Sequence, residues 1–265
     1  MDEQTYFDAN RLSWDQRTKV HKDSDFYDLV SFLSGKSSLM SVETEALGDV
    51  AGKSLLHLQC HFGQDTLSWA RKGAKVTGVD FSGEAIRLAR ELNEQLKLDA
   101  RFVECNIYDL PQHLEGQFDI VFTTYGVIGW LPDLERWAKI IRHFLKPGGT
   151  FLLVEFHPIV WMFDDDFTKI KYPYHNAGVI AEENTGTYAD REAPIKRVEY
   201  GWNHSLSEVI GALLKEGLQV EQFEEFNYSP YDCFNQTVEV APGRWQIKGL
   251  EGTIPMMYSV KAIAD

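Results

Sequence analysis

Ser54-Leu-Leu-His-Leu-Gln-Cys60, a stretch of helical period from Asp65 to Lys72, Lys75-Val-Thr-Gly-Val-Asp80 and a second helical stretch from Gly83 to Leu96 follow one another along the chain. Twice over, a short apolar run gives way to a longer segment whose apolar residues recur every three to four positions. The first kind reads as a strand buried on both faces, the second as a helix with one apolar stripe. The pattern continues outward through Arg101-Phe-Val-Glu-Cys105, Phe118-Asp-Ile-Val-Phe-Thr-Thr124 with a helix from Asp133 to Leu145, and Thr150-Phe-Leu-Leu-Val-Glu-Phe-His157. Strands alternating with helices predict an α/β fold, a doubly wound and mostly parallel sheet with helices on both faces. Lys146-Pro147-Gly148-Gly149 agrees, because Pro and Gly stop the preceding helix and turn the chain into the next strand.

Two regions lie outside this alternation. Residues 1–50 read as one or two amphipathic helices packing on the core, with Trp14, Arg17 and His21 on one face. Residues 51–265 form the domain proper, interrupted at 158–204 by an insertion rich in rings: Trp161, Phe163, Phe167, Tyr172, Tyr174, Tyr188, Tyr200 and Trp202. A connection of that length is expected to be a lid or binding segment; a second small core or a homodimer interface is the alternative use of the same rings. A helix from Ser205 to about Gly217 and strands over Leu218 to Phe226 and Pro255 to Ala264 close the chain.

With 265 residues, 44% of them hydrophobic and 13% aromatic, the chain suits one large domain rather than a disordered polymer. A formal net charge of −14 repels a phosphate backbone, so nucleic acid is not an expected partner. No run approaches the ~20 apolar residues needed to span a bilayer, and the start lacks the basic and apolar parts of an export signal. No membrane partner is expected, and the protein is expected in the cytoplasm. Cys60, Cys105 and Cys233 are too few and too widely spaced for a disulfide framework or zinc site. Asp164-Asp165-Asp166 reads as a solvated turn, and no metal is expected.

In an open parallel sheet, ligands bind beyond the carboxyl ends of the strands where strand order reverses. The loop after the first strand, His57-Leu-Gln-Cys-His-Phe-Gly63, keeps one glycine where a pyrophosphate-binding turn needs three. Asp80 follows Cys60 by 20 residues, the separation at which a carboxylate meets a ribose hydroxyl. A ribose is expected and a pyrophosphate is not.

At this point the sequence resembles the class I S-adenosylmethionine-dependent methyltransferases, in particular the bacterial small-molecule enzymes. The resemblance runs from Lys53 to His157 through Leu-Leu-His-Leu-Gln-Cys-His-Phe-Gly, Val-Thr-Gly-Val-Asp-Phe-Ser, Glu-Cys-Asn-Ile-Tyr-Asp-Leu, Phe-Asp-Ile-Val-Phe and Leu-Lys-Pro-Gly-Gly-Thr-Phe-Leu-Leu. It implies a Rossmann-like, seven-stranded sheet whose last strand is antiparallel, with S-adenosyl-L-methionine as cofactor. The first motif departs from the family: His57 replaces its acid, and Gln59 and His61 replace two glycines. By resemblance, Gln59, Cys60, His61 and Gly63 meet the methionine part and Asp80 the ribose, Phe81 flanks the adenine, and Ser82 belongs to the same cofactor site. Asn106 and Ile107 meet the adenine, Asn106 as an acceptor of its amine, and Thr124, Tyr125 and Gly126 lie beneath the sulfonium. Trp14, Arg17 and His21 are placed to close over the cofactor.

Methyl transfer from a sulfonium is an in-line displacement, so geometry is the main requirement, with a general base where the acceptor carries a proton. His157, at the mouth of the fifth strand, is the first candidate base, with Glu155 and Tyr125 behind it. The expected reaction is methylation of a small-molecule acceptor. The competing readings are a nicotinamide-dependent oxidoreductase on a similar sheet and a non-catalytic sensor or scaffold that binds the same cofactor.

Overall fold

The computed structural model describes residues 2–265. Three helices come first: α1 (Glu3–His21), α2 (Leu29–Leu33) and α3 (Ser41–Leu47). The alternating region follows as β1 (Ser54–Leu58), α4 (Gln64–Arg71), β2 (Lys75–Asp80), α5 (Gly83–Leu96), β3 (Arg101–Glu104), β4 (Phe118–Thr124), α6 (Leu134–Phe144) and β5 (Leu145–Phe156). Then come β6 (Ile180–Thr185), β7 (Lys196–Gly201), α7 (Leu206–Lys215), β8 (Leu218–Phe226), β9 (Thr237–Ala241), β10 (Arg244–Ile247) and β11 (Met257–Ala264).

One sheet of seven strands runs in the order β3-β2-β1-β4-β5-β11-β8, with β11 antiparallel to both of its neighbours. Its centre is fully covered: Leu55, Leu56, Leu58, Val79, Val121 and Phe122 have no measurable exposure. Burying a leucine side chain in this way stabilises the fold by about 1.5–3 kcal/mol. Helix ends follow local chemistry. Ser82 caps α5 by accepting from the Ala85 N–H, Asp133 caps α6 by accepting from Glu135 and Arg136, and Ser205 and Glu208 form a reciprocal cap on α7.

Three boundaries differ from the sequence reading. The first 50 residues hold three helices, not one or two, because Asp28 adopts a left-handed φ of 40° and caps a separate short turn of helix. Helix α6 stops at Phe144, and β5 begins at once with Leu145 opposite Phe118. Lys146 to Gly149 are therefore an excursion within the strand, after which Thr150 pairs with Ile120. A further hairpin, β9 and β10, stands between β8 and β11, where no element was expected. Among the described residues no helix is long and apolar enough to cross a membrane.

Candidate active site

Strand order reverses between β1 and β4, whose carboxyl-end loops are tied together by a 2.9 Å hydrogen bond from Gln59 Nε2 to the Val127 carbonyl. A cavity of about 950 Å³ opens here. It extends from the ends of β2 and β3, past the β1 and β4 loops, to the aromatic insertion.

The loop after β1 has an unusual backbone for its sequence. Gln59, His61 and Gly63 have φ of 55°, 51° and 79°, at the same alternate positions where the resembled motif carries glycines. A left-handed conformation costs a side-chain-bearing residue about 1–2 kcal/mol. The turn thus keeps glycine-type geometry while carrying two large side chains. Gln59 uses its amide to hold the β4 loop, and the His61 ring packs with centroids 4.2 Å from Phe62, 5.2 Å from Trp14 and 5.4 Å from Tyr27. Gly63 is required as glycine, since a Cβ there would meet the Phe102 ring at 2.7 Å.

Asp80 ends β2 with both oxygens aimed by backbone donors, Oδ2 by the His61 N–H at 2.8 Å and Oδ1 by the Ser82 N–H at 2.9 Å. Burial raises its pKa to about 6, against the pull of those donors. At the end of β3, Asn106 Oδ1 accepts the Tyr108 N–H at 3.0 Å, leaving its NH2 group free among the described residues. Over the turn lies α1, whose Arg17 stands 4.9 Å from the Trp14 ring and 5.5 Å from that of Trp130. Arg17 and Arg197 share one carboxylate, Glu199, which also accepts from Ser13 and Asn184. The cluster carries a net positive charge at the cavity wall.

Residues 55–149 match the methyltransferase-domain family. Over 144 residues the chain is 35% identical to an uncharacterized methyltransferase of Synechocystis sp., covering 52% of this chain and 66% of that protein. Over 106 residues it is 33% identical to a ubiquinone biosynthesis O-methyltransferase of Acinetobacter baylyi, covering 40% of this chain and 44% of that enzyme. The chain thus spans less than two thirds of either relative. An S-adenosylmethionine-dependent methyltransferase from Mesorhizobium loti shares the fold, with a TM-score of 0.59 over 87% of this chain and 99% of that one at 19% identity. Residues 55–149 belong to the methyltransferase-domain family, on a fold shared with S-adenosylmethionine-dependent methyltransferases. The nicotinamide and scaffold readings are not favoured.

The methyltransferase cavity fits an adenosylmethionine. Gln59 Oε1 is buried with no hydrogen-bond partner, an acceptor suited to the α-ammonium once Nε2 has fixed the amide. Arg17 Nη1 is likewise unbonded among the described residues and suits the carboxylate. Each Asp80 oxygen keeps a lone pair for a ribose hydroxyl. Asn106 Oδ1, which accepts the Tyr108 N–H, keeps a second lone pair for the adenine amine, and its NH2 group can donate to a ring nitrogen of the base.

Of the residues singled out from sequence, Trp14, Arg17, Gln59, Cys60, His61, Gly63, Asp80, Phe81, Asn106, Ile107, Thr124, Tyr125 and Gly126 line the cavity. Four do not. Ser82 is buried as the α5 cap and bonds Asp15 at 2.6 Å, so it orients Asp80 from behind. His21 is fully buried, stacked on Tyr27 at 5.0 Å, one layer behind His61. Glu155 turns inward, where the N–H groups of Gly126, Val127, Ile128 and Phe156 occupy its carboxylate at 2.5–3.1 Å. It shapes the β4 loop and is not aimed at the cavity. His157 is buried with Nε2 2.9 Å from Glu225 on β8 and Nδ1 accepting the Ile159 N–H, also outside the cavity. Tyr125 alone of the three candidate catalytic residues reaches it.

Every ring of the insertion named from sequence except Tyr174 lines the cavity. The segment that leads into β9 adds Tyr231, Cys233 and Phe234, and the chain before α2 adds Phe26 and Tyr27. Tyr27 and Tyr188 join hydroxyl to hydroxyl at 2.5 Å, closing the N-terminal segment onto the insertion. Sequence reading missed Tyr27, Glu43, Asp65, Arg197, Glu199 and Tyr231. The alternation Thr237-Val-Glu-Val-Ala241 before Pro242-Gly243 was the available signal for the second hairpin.

Proposed function

We propose that this protein methylates a small, uncharged or cationic, largely aromatic acceptor held between the β4 loop and the aromatic insertion. The observation that carries the reading is a single cavity that joins Asp80 and Asn106 at one end to Trp161, Phe163, Phe167 and Phe234 at the other. Bound S-adenosylmethionine supplies an electrophilic methyl group on a sulfonium whose departure leaves a neutral thioether. The chain's own task is then to hold the acceptor collinear with that bond and exclude water. Trp14, Arg17, Gln59 and His61 grip the methionine end, and Asp80, Phe81, Asn106 and Ile107 the adenosine end. The insertion, with residues 26–40 and 227–236, acts as the lid.

The lining carries eight carboxylates, including Asp164, Asp165, Glu182 and Glu183, against four basic side chains among the described residues. That balance disfavours a phosphate-bearing or polyanionic acceptor and nucleic acid. The hydroxyl-methylating activity in the name of the Acinetobacter relative supports a heteroatom as nucleophile. Three free cysteines fit residence in the cytoplasm. A cocrystal with S-adenosylhomocysteine tests the reading: the adenosine should lie beside Asp80 and Asn106, with vacant aromatic volume beyond the sulfur. A ligand seated elsewhere, or a sulfur facing solvent, would overturn it.

A further inference from the structure

We propose that Tyr125 and Glu43 form a proton relay at the acceptor site, so that the acceptor is a molecule bearing a proton on the oxygen or nitrogen that is methylated. The inference rests on the methyltransferase reading above.

Tyr125 is the first residue beyond β4 and lines the cavity. Its hydroxyl donates to Glu43 Oε2 at 2.8 Å and has no other partner among the described residues. A phenol whose only hydrogen is committed in this way has both lone pairs left to accept. Glu43 lies in α3, fully buried, and is absent from the cavity wall, so it reaches an acceptor only through Tyr125. Its other oxygen accepts the Met40 N–H at 2.7 Å, which fixes the carboxyl in place.

The surroundings contain carboxyl and phenol groups but, among the described residues, no cation bonded to Glu43. From α4, Asp65 faces it, half-buried and held by Ser38 Oγ at 2.6 Å and Thr124 Oγ1 at 3.4 Å. From the segment before β9, the Tyr231 ring lies 5.2 Å from that of Tyr125, edge to face. Burial, then the charge of Asp65, raises Glu43 to about 7, with the Met40 and Tyr125 hydrogen bonds opposing. Burial raises Asp65 as well. A carboxyl poised near neutrality is a more effective proton acceptor than an ordinary glutamate.

The step balances. The acceptor's lone pair forms the bond to the methyl carbon, and the carbon–sulfur pair returns to sulfur. The acceptor proton passes to Tyr125 Oη as the tyrosine's own proton passes to Glu43 Oε2. The sulfonium charge and the carboxylate charge are both discharged. Glu43 is a positioning and relay residue; Tyr125 is the group that touches the acceptor.

The test is a carboxyl titration by carbon-13 NMR of protein labelled at glutamate side chains, with Glu43 assigned by Glu43→Gln. Glu43 should titrate near pH 7 in the wild type and higher still in Tyr125→Phe, which removes a donor to the carboxylate. A Glu43 midpoint below 5, or one unmoved by Tyr125→Phe, overturns the relay. In parallel, 4-methylcatechol and tyramine serve as acceptor probes with S-adenosylhomocysteine release as readout. For either that turns over, Tyr125→Phe should lower kcat about 10²–10⁴-fold with the KM for S-adenosylmethionine unchanged. Glu43→Gln should abolish the acid limb of the pH profile, and Glu43→Asp should restore part of it. An acid limb that survives Glu43→Gln overturns the proposal, and the carboxyl titration decides whether or not either probe reacts. Failure of S-adenosylhomocysteine to bind the wild type, alongside a normal Glu43 titration near 7, would instead count against the methyltransferase reading.

Discussion

Glu199→Gln should be the most damaging single change in the wall that joins α1 to the insertion. Glu199 is 5% exposed and accepts from Ser13, Arg17, Asn184 and Arg197. Burial alone would raise its pKa, but Arg17, Arg197 and Ser13 outweigh burial and hold it down to about 2, from the ordinary 4.5. That difference corresponds to about 3 kcal/mol of preference for the charged form in the folded state. The glutamine variant leaves two guanidinium groups in a desolvated wall without a counter-charge, a change that costs about 3–5 kcal/mol. The two routes agree. For a chain of about this size each kcal/mol moves Tm by about 2–4 °C, so Tm should fall by roughly 6–20 °C. Urea unfolding at pH 7 is the assay, because the buried histidines weaken the fold before Glu199 itself is protonated. A loss below about 1 kcal/mol, the range of exposed pairs, would refute the description of this cluster as a buried ion assembly.

His57 and His61 should each weaken the fold as the pH falls, starting well above the carboxylate range. Burial holds both at about 3, against 6.5 for a free imidazole, so the unfolded chain binds protons that the native state refuses. Each ring contributes stability that is fully present above pH 6.5 and is lost toward pH 3, by up to about 1.4 kcal/mol per pH unit, while the raised carboxyls of Glu43 and Asp80 act in the opposite sense over the same range; a stability difference between wild type and His57→Asn that stays constant from pH 7 to 5 would contradict this. His61→Gly should be more stable than His61→Ala by about 1–2 kcal/mol, reversing the usual order, because both lose the ring but only alanine keeps a Cβ in the left-handed region. Equal urea midpoints would mean that the turn relaxes. Burial raises Asp80 to about 6, and ribose hydroxyls bind its ionised form. S-adenosylhomocysteine affinity should therefore fall roughly tenfold between pH 7 and 5, and calorimetry showing no change would remove Asp80 from the site.

The doubly wound sheet was legible because its strands are buried on both faces, which writes them as short apolar runs such as Phe118–Thr124. The place of Asp80 and Asn106 on the cavity wall was legible for a related reason: they sit where β2 and β3 stop, so strand ends locate them. The remainder depended on tertiary placement. His157 stands at a strand mouth, as a base should, yet nothing in its neighbours in sequence reveals that its ring turns to Glu225 on β8. Glu155 was unreadable for the same reason, since its partners are backbone groups of another loop. Glu43 and Tyr125 are separated by 82 residues and meet only because α3 packs on the sheet. In the hairpin of β9 and β10, β9 is half-buried at Thr237 and Val238 and exposed from Glu239 to Ala241, so its alternation is a weaker signal than a fully buried run.

The central claim is that adenosyl recognition survives the replacement of two motif glycines because the backbone of the turn has kept its glycine-type geometry. Calorimetry of the intact protein with S-adenosylhomocysteine, repeated with Asp80→Ala, tests it most directly. Wild type should bind at micromolar concentrations, and the variant should lose roughly tenfold to a hundredfold, the value of a hydrogen bond to a charged group. No heat of binding at millimolar ligand, or equal affinity in the two proteins, would contradict the account.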